Sequence, residues 1–159
     1  MHNLITNWPL TPVPWPLEKM NYKNRVSDSF AQQQFMDFIG ARIVNLDEGF
    51  CHLELPYRNE LTQQNKFYHA GVIGTLADTA AGYAAYTLFK PDESVLSVEY
   101  KVNLLAPAKG DLLAAKAKII KHGRTLTVCN VEVFITNGDA TKLCAIATVT
   151  LIALKDYNK

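Results

Sequence analysis

His69-Ala70-Gly71-Val72-Ile73-Gly74-Thr75-Leu76-Ala77-Asp78-Thr79-Ala80-Ala81-Gly82-Tyr83-Ala84-Ala85 is the stretch on which the fold turns. It runs on to Phe89 without a proline, and its apolar residues fall on every side of a helical wheel. A helix apolar all round is a buried helix. Asp78 is the one carboxylate inside it, and desolvating an unpaired carboxylate costs several kcal/mol, so it needs a partner or a purpose. Gly71, Gly74, Thr75, Asp78 and Gly82 share one face at helical spacing. Glycine costs roughly 0.5–1 kcal/mol per helix-interior position relative to Ala. The bare face therefore predicts a close approach to the backbone, by a slender substrate or by the same helix of a second subunit.

The residues alone leave two readings of Asp78 open. It is a structural carboxylate, bonded to backbone or to Tyr83 or Tyr86, or it is a reactive group. The helix start favours the second, because the first N–H groups of a helix have no partner within it and suit a developing oxyanion. With Asp78 two turns downstream, donor and carboxylate are expected to flank one carbonyl.

Outward from this helix the pattern changes. After Pro91 it has period two: Val95 to Leu105, Asp111 to Lys121, Thr125 to Thr136 and Thr141 to Leu154 read as strands, with a hairpin signal at Asn137-Gly138. Upstream, Ala41 to Asp47 and Phe50 to Leu55 read as two short strands around Glu48-Gly49. Ser27-Asp28-Ser29 offers N-cap residues to one short amphipathic helix carrying Phe30, Phe35, Phe38 and Ile39, stopped by Gly40. Residues 1–24, with Trp8, Trp15 and four prolines between 9 and 16, are expected as an extended arm before a single domain over 25–159. The fold class is α+β, an antiparallel sheet curled around one long helix.

Bulk properties exclude several function classes. The 159 residues suit one domain, and 48% hydrophobic with 19% charged residues is ordinary for a soluble globular chain. A formal net charge of +1 gives no long-range attraction to nucleic acid or to a membrane surface. Gly71 to Phe89 comes nearest to a spanning segment, and Asp78 interrupts it. Cys51, Cys129 and Cys144 have neither disulfide-framework nor zinc-knuckle spacing, which with the absence of a signal peptide predicts the cytoplasm.

The helix stretch resembles the motif of hotdog-fold thioesterases of the phenylacetate-degradation type. The resemblance continues through Ser97-Val98-Glu99-Tyr100-Lys101-Val102-Asn103-Leu104-Leu105-Ala106-Pro107-Ala108-Lys109-Gly110 and His122-Gly123-Arg124-Thr125, covering residues 40 to 154. It implies a hotdog fold, a homodimer made by joining two sheets or a homotetramer of two such pairs, and hydrolysis of acyl-CoA. It implies an active site at the subunit interface, with Ala70 and Gly71 supplying amide donors to the thioester carbonyl and Asp78 of the other subunit as the catalytic carboxylate, general base or nucleophile. Ser97 matches a hydroxyl that helps hold the attacking water. The chain departs from the family at two points. Ala70 replaces a glycine, and Gln63 stands where the family often has Asn, with Gln64 and Asn65 nearby. The resemblance also favours Gly123, Arg124 and Thr125 as contacts for coenzyme A, with Arg124 on its phosphates, over plain solvated turn charge.

Other candidates carry weaker signals. His69 either orients the helix start and the carbonyl or bonds only to backbone. His52 and Glu54 share a strand face at a metal-compatible spacing, but lack a third ligand. Cys51 and Cys129 show no paired His and read as small buried residues. No metal and no cofactor is expected, coenzyme A being part of the substrate. Hydratase chemistry would need a His beside the carboxylate, and Asp78 has none at helical spacing. A non-catalytic acyl-CoA-binding module is the alternative function, disfavoured by the lack of an effector segment.

Overall fold

The computed structural model describes residues 22–155. The arm expected over 1–24 therefore lies outside the described residues except for its last three, which begin a helix rather than an extended run. Two helices open the described chain, α1 (Tyr22–Ala31) and α2 (Gln34–Ile39). This corrects the single helix expected to start at Ser27-Ser29, since those residues sit inside α1. Short i to i−3 bonds, Gln32 N to Ser29 O at 3.2 Å and Gln33 N to Phe30 O at 3.0 Å, break the two apart. The break lets Val26 of α1 and Met36 and Ile39 of α2 each reach the core, and it leaves Phe35 and Phe38 exposed. Gly40 closes α2 at φ 82°, where its N–H donates to the Met36 and Asp37 carbonyls.

Strands β1 (Arg42–Asp47) and β2 (Phe50–Pro56) form the first hairpin. Helix α3 (Ala70–Tyr86) follows, then β3 (Glu93–Leu104), β4 (Leu112–His122), β5 (Leu126–Asn137) and β6 (Ala140–Lys155). All pairs are antiparallel, in the order β1-β2-β4-β5-β6-β3. The second hairpin forms where the sequence signal lies, but its two linking residues are Gly138 and Asp139, and Gly138 holds φ 56°.

The inner face of the sheet is apolar and alternates with the pleat: Cys129, Val131, Val133 and Ile135 of β5 are buried, as are Val149 and Leu151 of β6. Against it lies α3, packed chiefly on β4 and also on β2, β5 and β3. Its C-terminal carbonyls are tied from 61 and 64 residues away. Arg25 Nη2 donates to Tyr86 O at 2.6 Å and to Phe89 O at 2.8 Å, placing a cation at the negative end of the helix.

Two strands stand at the sheet edges, β1 and β3. The β3 edge carries Leu96, Val98, Tyr100 and Leu104 exposed. A long apolar edge strand is a template for another chain. No helix among the described residues is long and apolar enough to cross a membrane.

The left-handed turn at Gly138 yields a stability test. Gly138→Ala is expected to cost about 1–2 kcal/mol, the price of a side chain in the left-handed region, read as a lower urea midpoint with an unchanged slope. An unchanged midpoint would contradict the turn geometry.

Candidate active site

The uniformly apolar pattern of α3 predicts burial on all sides, and the structure corrects this. Ile73, Leu76, Ala77, Ala80, Ala81, Ala84 and Ala85 are buried under the sheet, whereas Thr75, Asp78, Thr79, Gly82 and Tyr86 form a half-exposed strip. Small residues made the helix read as apolar all round, because Ala and Gly are compatible with either environment. Asp78 sits in this strip, half-buried rather than sealed in the core.

Its partner is neither tyrosine considered from sequence. Ser97 of β3 donates its hydroxyl to Asp78 Oδ1 at 2.6 Å. Tyr83 is bonded instead to Gln33 and Ser29, and Tyr86 lies under the Arg25 guanidinium at 4.5 Å. The close approach predicted by the glycines also has an internal answer at Gly74. The ring of Tyr100 occupies that side, its Cε2 3.5 Å from where a Cβ would stand. Beside Asp78 and Ser97 lies an open cavity of about 580 Å³, bounded also by Thr79, Tyr83, Ser94 and Leu96.

At the start of α3, His69 is the N-cap, and its Nδ1 accepts the Gly71 N–H at 2.9 Å. An accepting Nδ1 requires the neutral ring with its proton on Nε2. The two amides expected to act together thus differ: that of Gly71 is engaged, while among the described residues the Ala70 N–H has no backbone or side-chain acceptor. Ala70 is helical with no positive φ, so the replaced glycine leaves no strain there.

A second cavity, about 400 Å³, is lined by Gln63, Phe67, Ala70, Ile73, Leu104 and Pro107 among others. Gln63 borders it, whereas Gln64 and Asn65 are exposed and do not. The Gln63 side-chain oxygen accepts from the Asn65 backbone N–H, leaving its amide NH₂ to face elsewhere.

Ala70 and Asp78 therefore border different cavities. Eight residues of helix separate them, a rise of about 12 Å, and hydrogen bonds reach about 3 Å. One carbonyl cannot touch both groups of the same chain, so a carbonyl flanked by both needs them from two copies, as the expected interface site has it.

Gly123, Arg124 and Thr125 form a third locus. They line a cavity of about 200 Å³ at the far end of α3, with Leu88, Phe89 and His122. Here His122 Nδ1 and Thr127 Oγ1 are 2.9 Å apart, and Gly123 N donates to Leu126 O at 2.9 Å. Arg124 is exposed.

The remaining candidates are structurally occupied. Glu54 pairs with Arg42 at 2.9 Å and lies 3.9 Å from His52 Nε2. Burial holds His52 below the usual imidazole range, against the opposing pull of Glu54. All three cysteines are buried, and burial pushes Cys51 and Cys129 up to about 12 and Cys144 to about 11. Such thiols are poor sources of thiolate. Sequence reasoning missed the Ser29–Gln33–Tyr83 network and the Arg25 clamp, which join residues at least 50 apart and leave no local pattern.

Comparison with known proteins adds an independent observation. Residues 65–142 match the profile of the thioesterase superfamily. A crystal structure of a thioesterase family protein from Silicibacter pomeroyi superposes with a TM-score of 0.83 at 44% identity, covering 84% of this chain and 98% of that one. The chain belongs to the thioesterase superfamily. The 1,4-dihydroxy-2-naphthoyl-CoA hydrolase of Listeria monocytogenes is 31% identical over 121 residues, 76% of this chain and 95% of that protein. The PaaI protein of the Escherichia coli phenylacetic acid degradation operon shares the fold, with a TM-score of 0.74 at 19% identity, 84% of this chain and 93% of that one being covered. The hotdog architecture expected from the resemblance is thus present, and membership points to thioester hydrolysis as the class of reaction.

The free Ala70 amide at the first helical position yields a structural test. Proline is tolerated there because the N–H it removes has no helical acceptor, and His69 at ψ 139° already has the extended conformation that precedes proline. Ala70→Pro is expected to shift the urea midpoint by less than about 0.5 kcal/mol. A loss of several kcal/mol would mean that the amide is structurally committed.

Proposed function

We propose that the protein hydrolyses acyl-CoA thioesters to the free acid and coenzyme A, in sites each shared between two copies of the chain. The observation that carries this reading is how the two cavities sit along β3. The cavity with Asp78 and Ser97 borders the beginning of the strand, at residues 94–97, and the cavity with Ala70 and Gln63 borders its end, at Leu104 and Leu105. Among the described residues β3 is a free edge, with exposed apolar side chains. Two copies joined antiparallel along that edge place the beginning of one β3 beside the end of the other. Two-fold symmetry then makes the pairing reciprocal and yields two composite sites.

In each site the Ala70 N–H of one copy donates to the thioester carbonyl oxygen and stabilises the oxyanion as it forms. Asp78 of the other copy has Oδ1 held by the Ser97 hydroxyl. Oδ2 then takes a proton from an attacking water, or attacks the carbonyl carbon itself, in which case water afterwards hydrolyses the acyl–aspartyl anhydride that is left when the thiolate departs. The C–S bond breaks as the tetrahedral carbon collapses, and the thiolate of coenzyme A departs, a good leaving group that needs no strong acid. Gln63 borders the carbonyl side and offers its NH₂ there. His69, whose Nδ1 accepts the Gly71 N–H, fixes the helix start. Gly123, Arg124 and Thr125 bind the nucleotide end of coenzyme A, with Arg124 on a phosphate. No metal or redox cofactor enters this chemistry, and the proposed location is the cytoplasm. The named relatives, a naphthoyl-CoA hydrolase and the PaaI protein, support an acyl-CoA substrate of aryl or short to medium length.

Thiol release from a panel of acyl-CoAs tests the reading. Asp78→Asn is expected to lower kcat by about 10²–10⁴-fold, and Ala70→Pro by about 10²–10³-fold through loss of one oxyanion donor. Undiminished hydrolysis by Asp78→Asn would sink the catalytic assignment. Tight acyl-CoA binding with no turnover by the unaltered protein would favour a binding module instead.

A further inference from the structure

The cavity beside Asp78 is an unusual container for an alkyl chain. Among the described residues, Val95 and Leu96 are its only aliphatic lining residues, and Ser29, Gln33, Tyr83 and Ser94 line it as well. These polar groups are arranged rather than scattered. Gln33 Nε2 donates to the Tyr83 hydroxyl at 2.8 Å, and Ser29 Oγ lies 3.4 Å from the same oxygen. Tyr83 is 3% exposed, and burial raises it above the usual phenol range, so it stays protonated. One N–H of the Gln33 amide is engaged by Tyr83, and among the described residues its Oε1 has no partner. Gln33 lines the cavity.

From this network we infer that Ser29, Gln33 and Tyr83 form a recognition subsite for a hydroxyl at the end of the acyl group remote from the thioester. The inference rests on the thioesterase reading of the Asp78 cavity and names its preferred substrate class. Distance supports it. Tyr83 lies five residues beyond Asp78 on α3, a rise of about 7.5 Å. A six-carbon acyl group with a terminal hydroxyl is of comparable length. The hydroxyl donates to Gln33 Oε1 and accepts from the Ser29 or Tyr83 hydroxyl. An unsubstituted alkyl end would desolvate these groups without replacing their water, which a hydrogen-bonding site penalises. Ser29 and Gln33 precede residues 65–142, the part matched by the family profile. The α1–α2 segment thus gives this chain a selectivity that the shared helix does not encode.

The experiment compares hexanoyl-CoA with 6-hydroxyhexanoyl-CoA, by kcat/KM for thiol release and by calorimetric Kd of the matching non-hydrolysable thioether analogues. The unaltered protein is expected to prefer the hydroxylated member about three- to ten-fold in both readouts, the worth of about one hydrogen bond. Gln33→Leu, on an exposed side chain, and Tyr83→Phe are each expected to bring that ratio to near one. The ratio is internal to each variant, so a general loss of stability or rate does not move it. Equal preference in the unaltered protein, or an undiminished preference in both variants, would overturn the subsite. If neither thioester is hydrolysed, the catalytic reading fails, while the Kd ratio still decides for or against the subsite.

Discussion

A helix lying in the hollow of one curved sheet can be covered by that sheet on only part of its circumference. Everything distinctive about this molecule follows from how α3 meets that constraint. Its larger side chains, Ile73 and Leu76, and a run of alanines turn toward β2, β4 and β5. Arg25 clamps its C-terminal carbonyls, and His69 caps its start. The strip left over is narrow and built of small and polar residues, and Asp78 stands in its middle. The adjoining strand β3 is itself a sheet edge, so the uncovered strip and the unpaired edge lie side by side. A carboxylate in that place is partly desolvated, held by one hydroxyl, and still open to a ligand.

The elements were legible because each has a strong period. Four long alternating runs became β3 to β6, and the helix became α3 within a few residues at either end. The α1–α2 break was not legible, since Phe30, Phe35, Phe38 and Ile39 fit one helical stripe. Tertiary demand decided otherwise, burying Met36 and exposing Phe35 and Phe38. Asp78 could be singled out because a charge within an apolar run is a local anomaly. Ser97 entered only through the family resemblance and not from local pattern, because it is 19 residues away on a strand whose register carries a bulge between Ser97 and Glu99. The Ser29–Gln33–Tyr83 network was hidden for the same reason. Ala and Gly misled in the opposite direction. Counted as apolar, Ala70, Gly71 and Gly82 made the whole circumference of α3 read as buried, when Ala70 and Gly71 are exposed and Gly82 is half-buried in the strip with Asp78.

The separation of Ala70 from Asp78 bears directly on the interface site that the family resemblance implies. On one chain these residues line two cavities and cannot meet on one carbonyl. The thioesterase reading therefore requires that catalysis be a property of the pair, and it makes β3 pairing part of the chemistry. Mixing two inactive variants tests that claim most directly. Asp78→Asn and Ala70→Pro chains, unfolded and refolded together, form hybrids in which one of the two sites has both groups intact. The account predicts recovery of about a quarter of the unaltered activity after random two-fold pairing, where each variant alone has almost none. Mixtures no more active than the separate variants, with hybrid pairs confirmed by mass, would show that donor and carboxylate act within one chain.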